Sequence, residues 1–219
     1  MTLEPTTPAS RCLDLEAFER APLAQAPFPY VIVPRFVRRE VFARVYADFP
    51  EIRRPGSFPA SELDMGPACR ELLEALEGPE VRKAFSSKFG LDLSGRPTML
   101  TLRGRARPRD GKIHADSRTK LISALIYLNE AWSAPGGRLR LLRSSDDLGD
   151  YAAEVAPVDG TLVAFRVGPN SWHGHTAASG QRRAIQLNWV TEERVLQREL
   201  ARHRFSAHLK RFLPLRLGY

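Results

Sequence analysis

The spacing of hydrophobic residues changes near residue 96 of the chain. Before that point apolar side chains recur every three or four positions, which is the pattern of amphipathic helices. Three runs show this spacing: 12–20, 38–49 and 69–76. Pro79 and Gly90 mark the start and the end of a further helix. A short strand over 30–33 is expected between prolines that break helices on both sides, so residues 1–96 are predicted to be mostly helical.

Beyond residue 96 the apolar segments become short and rich in β-branched residues, and glycine, proline or aspartate separates them. Eight segments are predicted to be strands: 98–103, 112–115, 120–128, 138–142, 153–156, 162–167, 171–175 and 183–190. Strands that follow one another without intervening helices indicate a β-sandwich or a jelly roll. A basic helix over 192–213, with Thr191 as its N-cap, is expected to close the chain.

These elements are predicted to form a single domain over residues 1–219 with three parts. Residues 1–96 provide a helical support region, residues 97–190 a β-core and residues 191–219 a C-terminal helix. Neither an internal repeat nor a linker composition divides the chain. The fold class is therefore expected to be mainly β with flanking helices.

Composition supports an ordinary folded domain, since hydrophobic residues make up 43% of the chain. The longest apolar run, 121–128, is far shorter than the roughly 20 residues of a membrane-spanning helix. The first residues lack the basic and apolar regions of a secretory signal, so a cytoplasmic location is expected. The two cysteines, Cys12 and Cys69, are expected to be reduced, because two thiols build no disulfide framework.

Positive charge exceeds negative charge, with 33 Lys and Arg against 25 Asp and Glu and a formal net charge of +8. The excess concentrates in two segments, 101–118 and 191–219. Such segments suit an anionic partner, which includes an acidic substrate, a nucleic acid or a membrane surface. They are equally compatible with the solvated faces of a basic protein, because charge alone does not define a function.

Three histidines lie on predicted strands, and one of them belongs to a His-x-Asp motif, His114-Ala115-Asp116. Side chains two residues apart on a strand face the same side, so His114 and Asp116 are predicted to enter one cavity. His173 lies at a strand end further along the chain. Two histidines and one carboxylate form the facial triad of non-haem Fe(II) oxygenases, which leaves positions open for a bidentate 2-oxo acid and for O₂.

An arginine ten residues after His173 opens the last apolar strand. This residue, Arg183, offers a planar fork to the far carboxylate of a 2-oxo acid. Its neighbour Arg182 is the alternative, since alternation along a strand lets only one of the two point inward, and the spacing favours Arg183. His175 shares the strand face of His173 and is expected to look into the cavity, as a partner of the ligands, a substrate contact or a polar core residue.

Residues 97–190 resemble the 2-oxoglutarate- and Fe(II)-dependent oxygenases of the prolyl 4-hydroxylase and HIF-prolyl-hydroxylase type. Five stretches carry the resemblance, in this order: the His-x-Asp motif, Ala124-Leu-Ile-Tyr-Leu-Asn129, Gly136-Gly-Arg-Leu-Arg140, Ala156-Pro-Val-Asp-Gly-Thr-Leu-Val-Ala-Phe165, and His173 with Arg183-Ala-Ile-Gln-Leu-Asn-Trp189. The opening Pro27-Phe-Pro-Tyr-Val-Ile32 is also similar to that of many members, whereas the rest of the first 96 residues matches only loosely.

The resemblance implies a double-stranded β-helix, which is a distorted jelly roll, and an oxygenase that uses Fe(II), 2-oxoglutarate and O₂, with ascorbate as a candidate reductant. It implies His114, Asp116 and His173 as the iron ligands. It further implies Arg183 as the partner of the C5 carboxylate of 2-oxoglutarate. Tyr127 corresponds to a tyrosine that assists there, with plain core packing as the alternative.

The resemblance and the charge pattern indicate two more arginines as candidate site residues. Arg103 corresponds to a residue near the C1 carboxylate or the substrate. Arg105, in the arginine-rich loop 103–112, is a candidate for contact with an anionic substrate, as is His175. The presence of Asp116 favours hydroxylation, because halogenating relatives lack this ligand.

The sequence therefore predicts a dioxygenase that hydroxylates a C–H bond and releases succinate and CO₂. Its substrate is expected to be a small molecule or a proline-like peptide segment, and an anionic one if the arginine-rich loop faces it. Two alternatives stay open: an oxidative demethylase that acts on nucleic acid, and a non-catalytic binding module on the same fold. The first lacks the arginine run and stacking aromatics of such enzymes, and the second usually lacks a ligand. The oligomeric state is not indicated.

Overall fold

The computed structural model of the chain describes residues 7–212, and the side chains of residues 7–202. The helices of this part are α1 Pro8–Cys12, α2 Leu15–Arg20, α3 Arg39–Asp48, α4 Pro67–Glu77, α5 Pro79–Phe89 and α6 Glu193–Phe212. The strands are β1 Tyr30–Val33, β2 Phe58–Pro59, β3 Thr98–Ala106, β4 Lys120–Tyr127, β5 Leu139–Leu142, β6 Tyr151–Val155, β7 Leu162–Arg166, β8 His173–Gly174 and β9 Gly180–Val190. A 3₁₀ turn follows β2 at Ala60–Glu62.

The strands form two antiparallel sheets. The larger sheet has the order β1-β7-β4-β9-β3-β2, and the smaller one has the order β6-β5-β8. Few strands pair with their neighbours in sequence. From β4 onward the chain passes repeatedly from one sheet to the other. The expected β-core with flanking helices is confirmed in this respect.

The larger sheet is buried on both faces, because alternate residues of its strands face different clusters. On β7, Leu162 and Ala164 pack in the cluster that includes the N-terminal helices. Val163 and Phe165, between and beyond them, pack in a second cluster that includes residues of the smaller sheet. The strands therefore read as nearly continuous apolar runs, and the inner face is free to carry a cavity between the two sheets.

The helical region is held to the sheet by aromatic rings. The ring of Phe85 on α5 lies with its centroid 4.8 Å from that of Trp189 on β9 and 4.5 Å from that of Phe18 on α2. All three side chains are buried, and burial of a large aromatic side chain stabilises a fold by roughly 2 kcal/mol or more. Gly90 ends α5 in the left-handed conformation with φ 60°, as the sequence predicts.

Three predicted elements differ from the structure. The run 12–20 is two helices, because the side chain of Asp14 accepts a hydrogen bond from the N–H of Ala17 and starts a new helix. The strand expected over 112–115 is a single bridge at His114. The last helix begins at Glu193, so Thr191 is not its N-cap; the Thr191 N–H donates to the Thr119 carbonyl at 2.9 Å instead. The expected end of this helix at residue 213 lies outside the described residues.

No helix within residues 7–212 is long and apolar enough to cross a membrane. This finding agrees with the short apolar runs of the sequence.

Candidate active site

Backbone pairing brings two of the predicted ligands together. The N–H of His114 donates to the carbonyl of His173 at 3.0 Å, and the N–H of His173 donates to the carbonyl of His114 at 2.9 Å. The two imidazole centroids lie 4.3 Å apart. Asp116 reaches the same point, so one ligand atom from each of the three side chains lies within 4.8 Å of the others. The three residues singled out in the sequence thus form one cluster with the composition of a metal site.

Hydrogen bonds set both imidazoles in the form that binds a metal. Nδ1 of His114 lies 2.9 Å from the carbonyl oxygen of Lys112, and Nδ1 of His173 lies 2.9 Å from that of Ser171. Because a carbonyl oxygen only accepts, each Nδ1 carries a proton, and Nε2 is the ring nitrogen of each histidine that is left to bind a metal. Burial and the neighbouring His114 lower the pKa of His173 to about 4, so this ring is neutral at pH 7.

The carboxylate of Asp116 is ionised. Burial acts to raise its pKa, but the ammonium group of Lys120, the nearby His173 and the hydroxyl of Ser123 outweigh burial and lower the pKa to about 2. Two imidazoles and one carboxylate are a donor set that suits Fe(II) and similar divalent transition metals. The residues present therefore fit the iron that the sequence resemblance implies.

A cavity of about 270 Å³ begins at this cluster and runs along the inner face of β9. Its wall on β9 is formed by Asn188, Gln186 and Arg182, which alternate with residues of the outer face. The neighbouring strands contribute residues from the same inner face, since Thr101 pairs with Gln186 and Leu125 also pairs with Gln186 in the register of the sheet. The metal cluster and the far end of the cavity are therefore connected by one continuous surface.

The far end of the cavity is basic. Arg182 is buried there, its Nε donates to the carbonyl of Gly137 at 3.2 Å, and its Nη2 lies 3.4 Å from the hydroxyl oxygen of Tyr127. Arg103 lines the same space, and its buried Nε has no hydrogen-bond partner within the described part of the chain. Burial and the charge of Arg182 lower the pKa of Arg103. Two guanidinium groups so close together fit an anionic ligand.

The expectation that Arg183 points into the cavity is wrong. Its guanidinium lies on the outer face of the sheet, 4.0 Å from the centroid of the Tyr46 ring, and its Nη1 donates to the Tyr46 carbonyl at 2.7 Å. The reason is strand alternation: Arg182, Gln186 and Asn188 share the inner face, so Arg183 must face outward. The alternative that the sequence left open, Arg182, is the arginine in the cavity.

The other predicted site residues divide between the cavity and the surface. Tyr127, Arg103 and His175 line the cavity. Nδ1 of His175 donates to the Thr176 carbonyl, 2.8 Å away, and burial lowers the pKa of this histidine, with Arg182 adding to the effect. Arg105 is exposed and lines a separate hollow on the outer face together with Arg183, so it does not reach the metal cluster. Of residues 103–112, Arg103 on β3 and Gly111 in the following loop line the cavity, whereas the exposed Arg105 does not.

Sequence reasoning missed several polar residues of the cavity. Lys120, Gln186 and Asn188 all line it. A signal was available for two of them: Gln186 and Asn188 are polar residues two positions apart in an otherwise apolar strand, which is the mark of a face turned to a polar cavity. Lys120 had no such signal, because its direction depends on the turn that precedes β4.

Comparisons with known proteins agree with this site. Residues 105–191 match the sequence model of the 2OG-Fe(II) oxygenase superfamily. A prolyl-4-hydroxylase from Pseudomonas putida is similar in structure, with a TM-score of 0.53 and 22% sequence identity over 88% of this chain and 97% of the other. A search of curated proteins finds none with significant sequence similarity to this chain.

Two further solved structures share the fold. One is a prolyl 4-hydroxylase from Phytophthora capsici, with a TM-score of 0.51 and 16% identity over 96% of this chain and 76% of the other. The other is a viral collagen prolyl hydroxylase from Paramecium Bursaria Chlorella virus-1 in complex with 2OG, with a TM-score of 0.50 and 14% identity over 74% of this chain and 96% of the other.

The segment that matches this sequence model contains the His-x-Asp motif, the distal histidine and the last core strand. The resemblance stated from the sequence is confirmed for this segment. The fold of the chain is similar to that of prolyl 4-hydroxylases.

Proposed function

We propose that this enzyme hydroxylates a C–H bond of an anionic substrate while 2-oxoglutarate and O₂ are converted to succinate and CO₂. The observation that carries the proposal is the cavity itself, which has a His-Asp-His cluster at one end and two guanidinium groups at the other. We infer that the two sheets form a double-stranded β-helix and that the substrate is a small molecule or an exposed peptide segment, including a prolyl one.

In this proposal His114, Asp116 and His173 hold Fe(II). The iron supplies the redox chemistry that activates O₂, and the protein supplies binding, orientation and exclusion of water. The backbone carbonyls at Nδ1 keep both imidazoles in one tautomer and one orientation. The apolar residues Leu125, which is partly buried, and Leu139, which is buried, line the cavity beside the polar groups and limit the access of water.

Arg182 and Tyr127 are proposed to bind the C5 carboxylate of 2-oxoglutarate. The guanidinium of Arg182 lies 5.1 Å from the centroid of the Tyr127 ring, and the phenol hydroxyl is within reach of the same guanidinium. A carboxylate placed there accepts charge-assisted hydrogen bonds from Arg182 and one from the Tyr127 hydroxyl. This assignment replaces Arg183, whose side chain is on the other side of the sheet.

Arg103 is proposed to hold an anionic group of the substrate, a carboxylate or a phosphate. Its Nε is buried without a partner in the described residues, which is costly unless a ligand supplies the acceptor. Arg182 is already assigned to the cosubstrate, so the second guanidinium is left for another anion. Ascorbate is also proposed as a candidate reductant, and the turnover assay described next, run with and without ascorbate, tests this role.

The first experiment measures cosubstrate binding and turnover. Purified enzyme with Fe(II), 2-oxoglutarate and ascorbate is expected to form succinate slowly without any other substrate. Calorimetry on the Mn(II)-loaded protein is expected to show that Arg182→Ala weakens 2-oxoglutarate binding by about 1.5–3 kcal/mol, the value of a charge-assisted hydrogen bond lost from a buried site. Arg183→Ala is the matched control and should leave the affinity unchanged. Loss of affinity in Arg183→Ala alone would overturn the assignment.

A second experiment addresses the substrate. Enzyme, Fe(II) and 2-oxoglutarate are incubated with carboxylate- or phosphate-bearing metabolites and with acidic prolyl peptides, and mass spectrometry detects the gain of one oxygen atom. Arg103→Met is expected to raise the KM for the oxidised compound. Oxidation of neutral compounds only, with the same KM in Arg103→Met, contradicts the proposed anionic class.

A further inference from the structure

The carboxylate of Asp116 is held at both of its oxygens by side chains of β4. The ammonium of Lys120 donates to Oδ1 at 2.9 Å, and the hydroxyl of Ser123 donates to Oδ2. The side chains of Lys120 and Asp116 are only 12% and 10% exposed. An ion pair in such a dry place is much stronger than one at the surface, where exposed pairs contribute little.

A third residue determines the direction of the Ser123 hydrogen bond. Nδ2 of Asn188 donates to Oγ of Ser123 at 2.7 Å. Because an amide nitrogen only donates, Ser123 is the acceptor in that bond, and its own proton is free to point at Asp116. Ser123 and Asn188 are fully buried and face each other in the register of β4 and β9. The sheet therefore fixes the hydroxyl that holds Oδ2.

The turn before β4 fixes the other donor. The N–H of Lys120 donates to the carbonyl of Ser117 at 2.9 Å, which closes the short connection between Asp116 and the strand. Lys120 is thus anchored at the first position of β4, four residues after its partner. Rotation of the Asp116 carboxylate would break the bonds to Lys120 and Ser123 together.

We propose that Lys120, Ser123 and Asn188 are positioning residues that hold the Asp116 carboxylate in the orientation in which it binds the metal. The inference rests on the proposed function, since it assumes a metal at the His-Asp-His cluster. Each carboxylate oxygen has two lone pairs and uses one for its hydrogen bond, so a lone pair stays free for a metal ion. The positive charge of Lys120 repels a metal ion, and the proposal states that the gain from a fixed carboxylate exceeds this repulsion.

Mn(II) binding to the metal-free enzyme, followed by calorimetry and by the electron paramagnetic resonance of free Mn(II), tests this inference. Residues that orient a metal ligand typically change metal affinity ten- to a hundredfold. Lys120→Met is therefore expected to weaken Mn(II) binding by about tenfold or more. Lys120→Arg, which keeps a cationic donor, should recover part of the loss. Asn188→Leu should also weaken binding, because Asn188 acts on Asp116 through Ser123.

Lys112→Met is the matched control, because Lys112 is an exposed lysine two residues from His114 and its removal changes the charge equally. Its Mn(II) affinity should stay within about twofold of the wild type. The melting temperature of each metal-free variant separates lost positioning from lost folding. If Lys120→Met does not fold, Lys120→Arg and Asn188→Leu decide the question.

Three results would overturn the inference: unchanged or tighter Mn(II) binding in Lys120→Met, an equal loss in Lys112→Met, or unchanged binding in Asn188→Leu. A wild-type enzyme that binds Mn(II) but does not convert 2-oxoglutarate contradicts the proposed function alone. In that case the Lys120 and Asn188 variants still decide the positioning role, since their readout is affinity and not turnover.

Discussion

Adjacent arginines on β9 have different surroundings because the strand turns their side chains to opposite faces. Arg182 is buried beside Tyr127 in the cavity, whereas Arg183 lies over the ring of Tyr46 and joins the end of α3 to the sheet. The two guanidinium groups carry the same charge, and the surrounding residues determine whether the group is available to a ligand or stabilises the fold. The same holds for the histidines, because burial and hydrogen bonds to carbonyls make His173 a neutral donor.

Acid is expected to destabilise the metal-free protein through His173. Its pKa is about 4 in the folded protein and about 6.5 in an unfolded chain, so the unfolded state binds the proton first as the pH falls. The contribution of His173 to the free energy of unfolding is fully present above pH 6.5 and is lost progressively from pH 6.5 down to pH 4. Urea unfolding should show the metal-free protein to be about 2 kcal/mol less stable at pH 5 than at pH 7.5 from this group.

His173→Asn is the control for this prediction, since it removes the titrating group. The loss of stability between pH 7.5 and pH 5 should be smaller in His173→Asn than in the wild type by about the same 2 kcal/mol. Equal pH dependence in the two proteins contradicts the assigned state of His173.

At the residue scale, the His-Asp-His cluster was predictable and the arginine that enters the cavity was not. His114, Asp116 and His173 follow from a motif whose spacing matches strand geometry. Arg183 was preferred from a count of residues after His173, and a count along the chain does not say which face a residue occupies. The polar residues of β9 carry that information, because they alternate in step with Arg182.

At the scale of elements, the loop between β3 and the metal motif forms a wall of the cavity. The carbonyl of Gly111 accepts the N–H of His175 at 2.9 Å, and a Cβ at Gly111 would lie 2.4 Å from the His175 ring. Gly111 also has φ 113°, which L-residues with side chains rarely adopt. The close approach of this loop therefore requires glycine, and it places His175 beside Arg182.

Gly111→Ala is expected to push the loop away from His175 and to weaken 2-oxoglutarate binding by about tenfold, the effect of a small displacement in a preorganised site. Gly90→Ala is the control, because Gly90 also has a positive φ but no atom lies within 4 Å of its Cβ position. Gly90→Ala should lower stability by about 1 kcal/mol without a change in affinity. Equal affinity of Gly111→Ala and the wild type, measured by calorimetry, contradicts the role of the loop.

The sequence predicted best the elements whose ends are marked by proline or glycine. The strand 30–33 and the helix from Pro79 to Gly90 were found because prolines and glycine mark their ends. The strand expected over 112–115 was not, since its alternating pattern belongs to a segment that pairs at His114 alone. The pair Phe58–Pro59 was missed because two residues carry no periodicity.

At the scale of the whole molecule, one hydrophobic cluster joins the helices and the larger sheet. It includes Phe18 and Phe85 from the helices and Leu187 and Trp189 from β9. The helical part therefore covers a face of the sheet that would otherwise be an apolar surface exposed to water. The single-domain organisation expected from the sequence remains a prediction, and this cluster is its physical basis.

Unfolding is expected to be one cooperative transition. Fluorescence changes of a Trp189-only protein, in which Trp132 and Trp172 are replaced by Phe, report on the contact between helices and sheet. Far-ultraviolet circular dichroism reports on all elements. The two midpoints in urea should coincide, as they do for a two-state domain. A fluorescence transition well before the circular dichroism transition would show that the helical region unfolds alone.

Finally, the reciprocal backbone hydrogen bonds between His114 and His173 have a consequence for the protein when it holds no metal. In antiparallel pairing, two residues that exchange both bonds have their Cα atoms held about 5.5 Å apart. Both amides should then exchange with deuterium slowly even when the protein holds no metal, and added metal should slow them little further. If the proposed function holds, a metal ion would enter and leave a frame that is already assembled, because the two histidines are paired through their backbones before it binds.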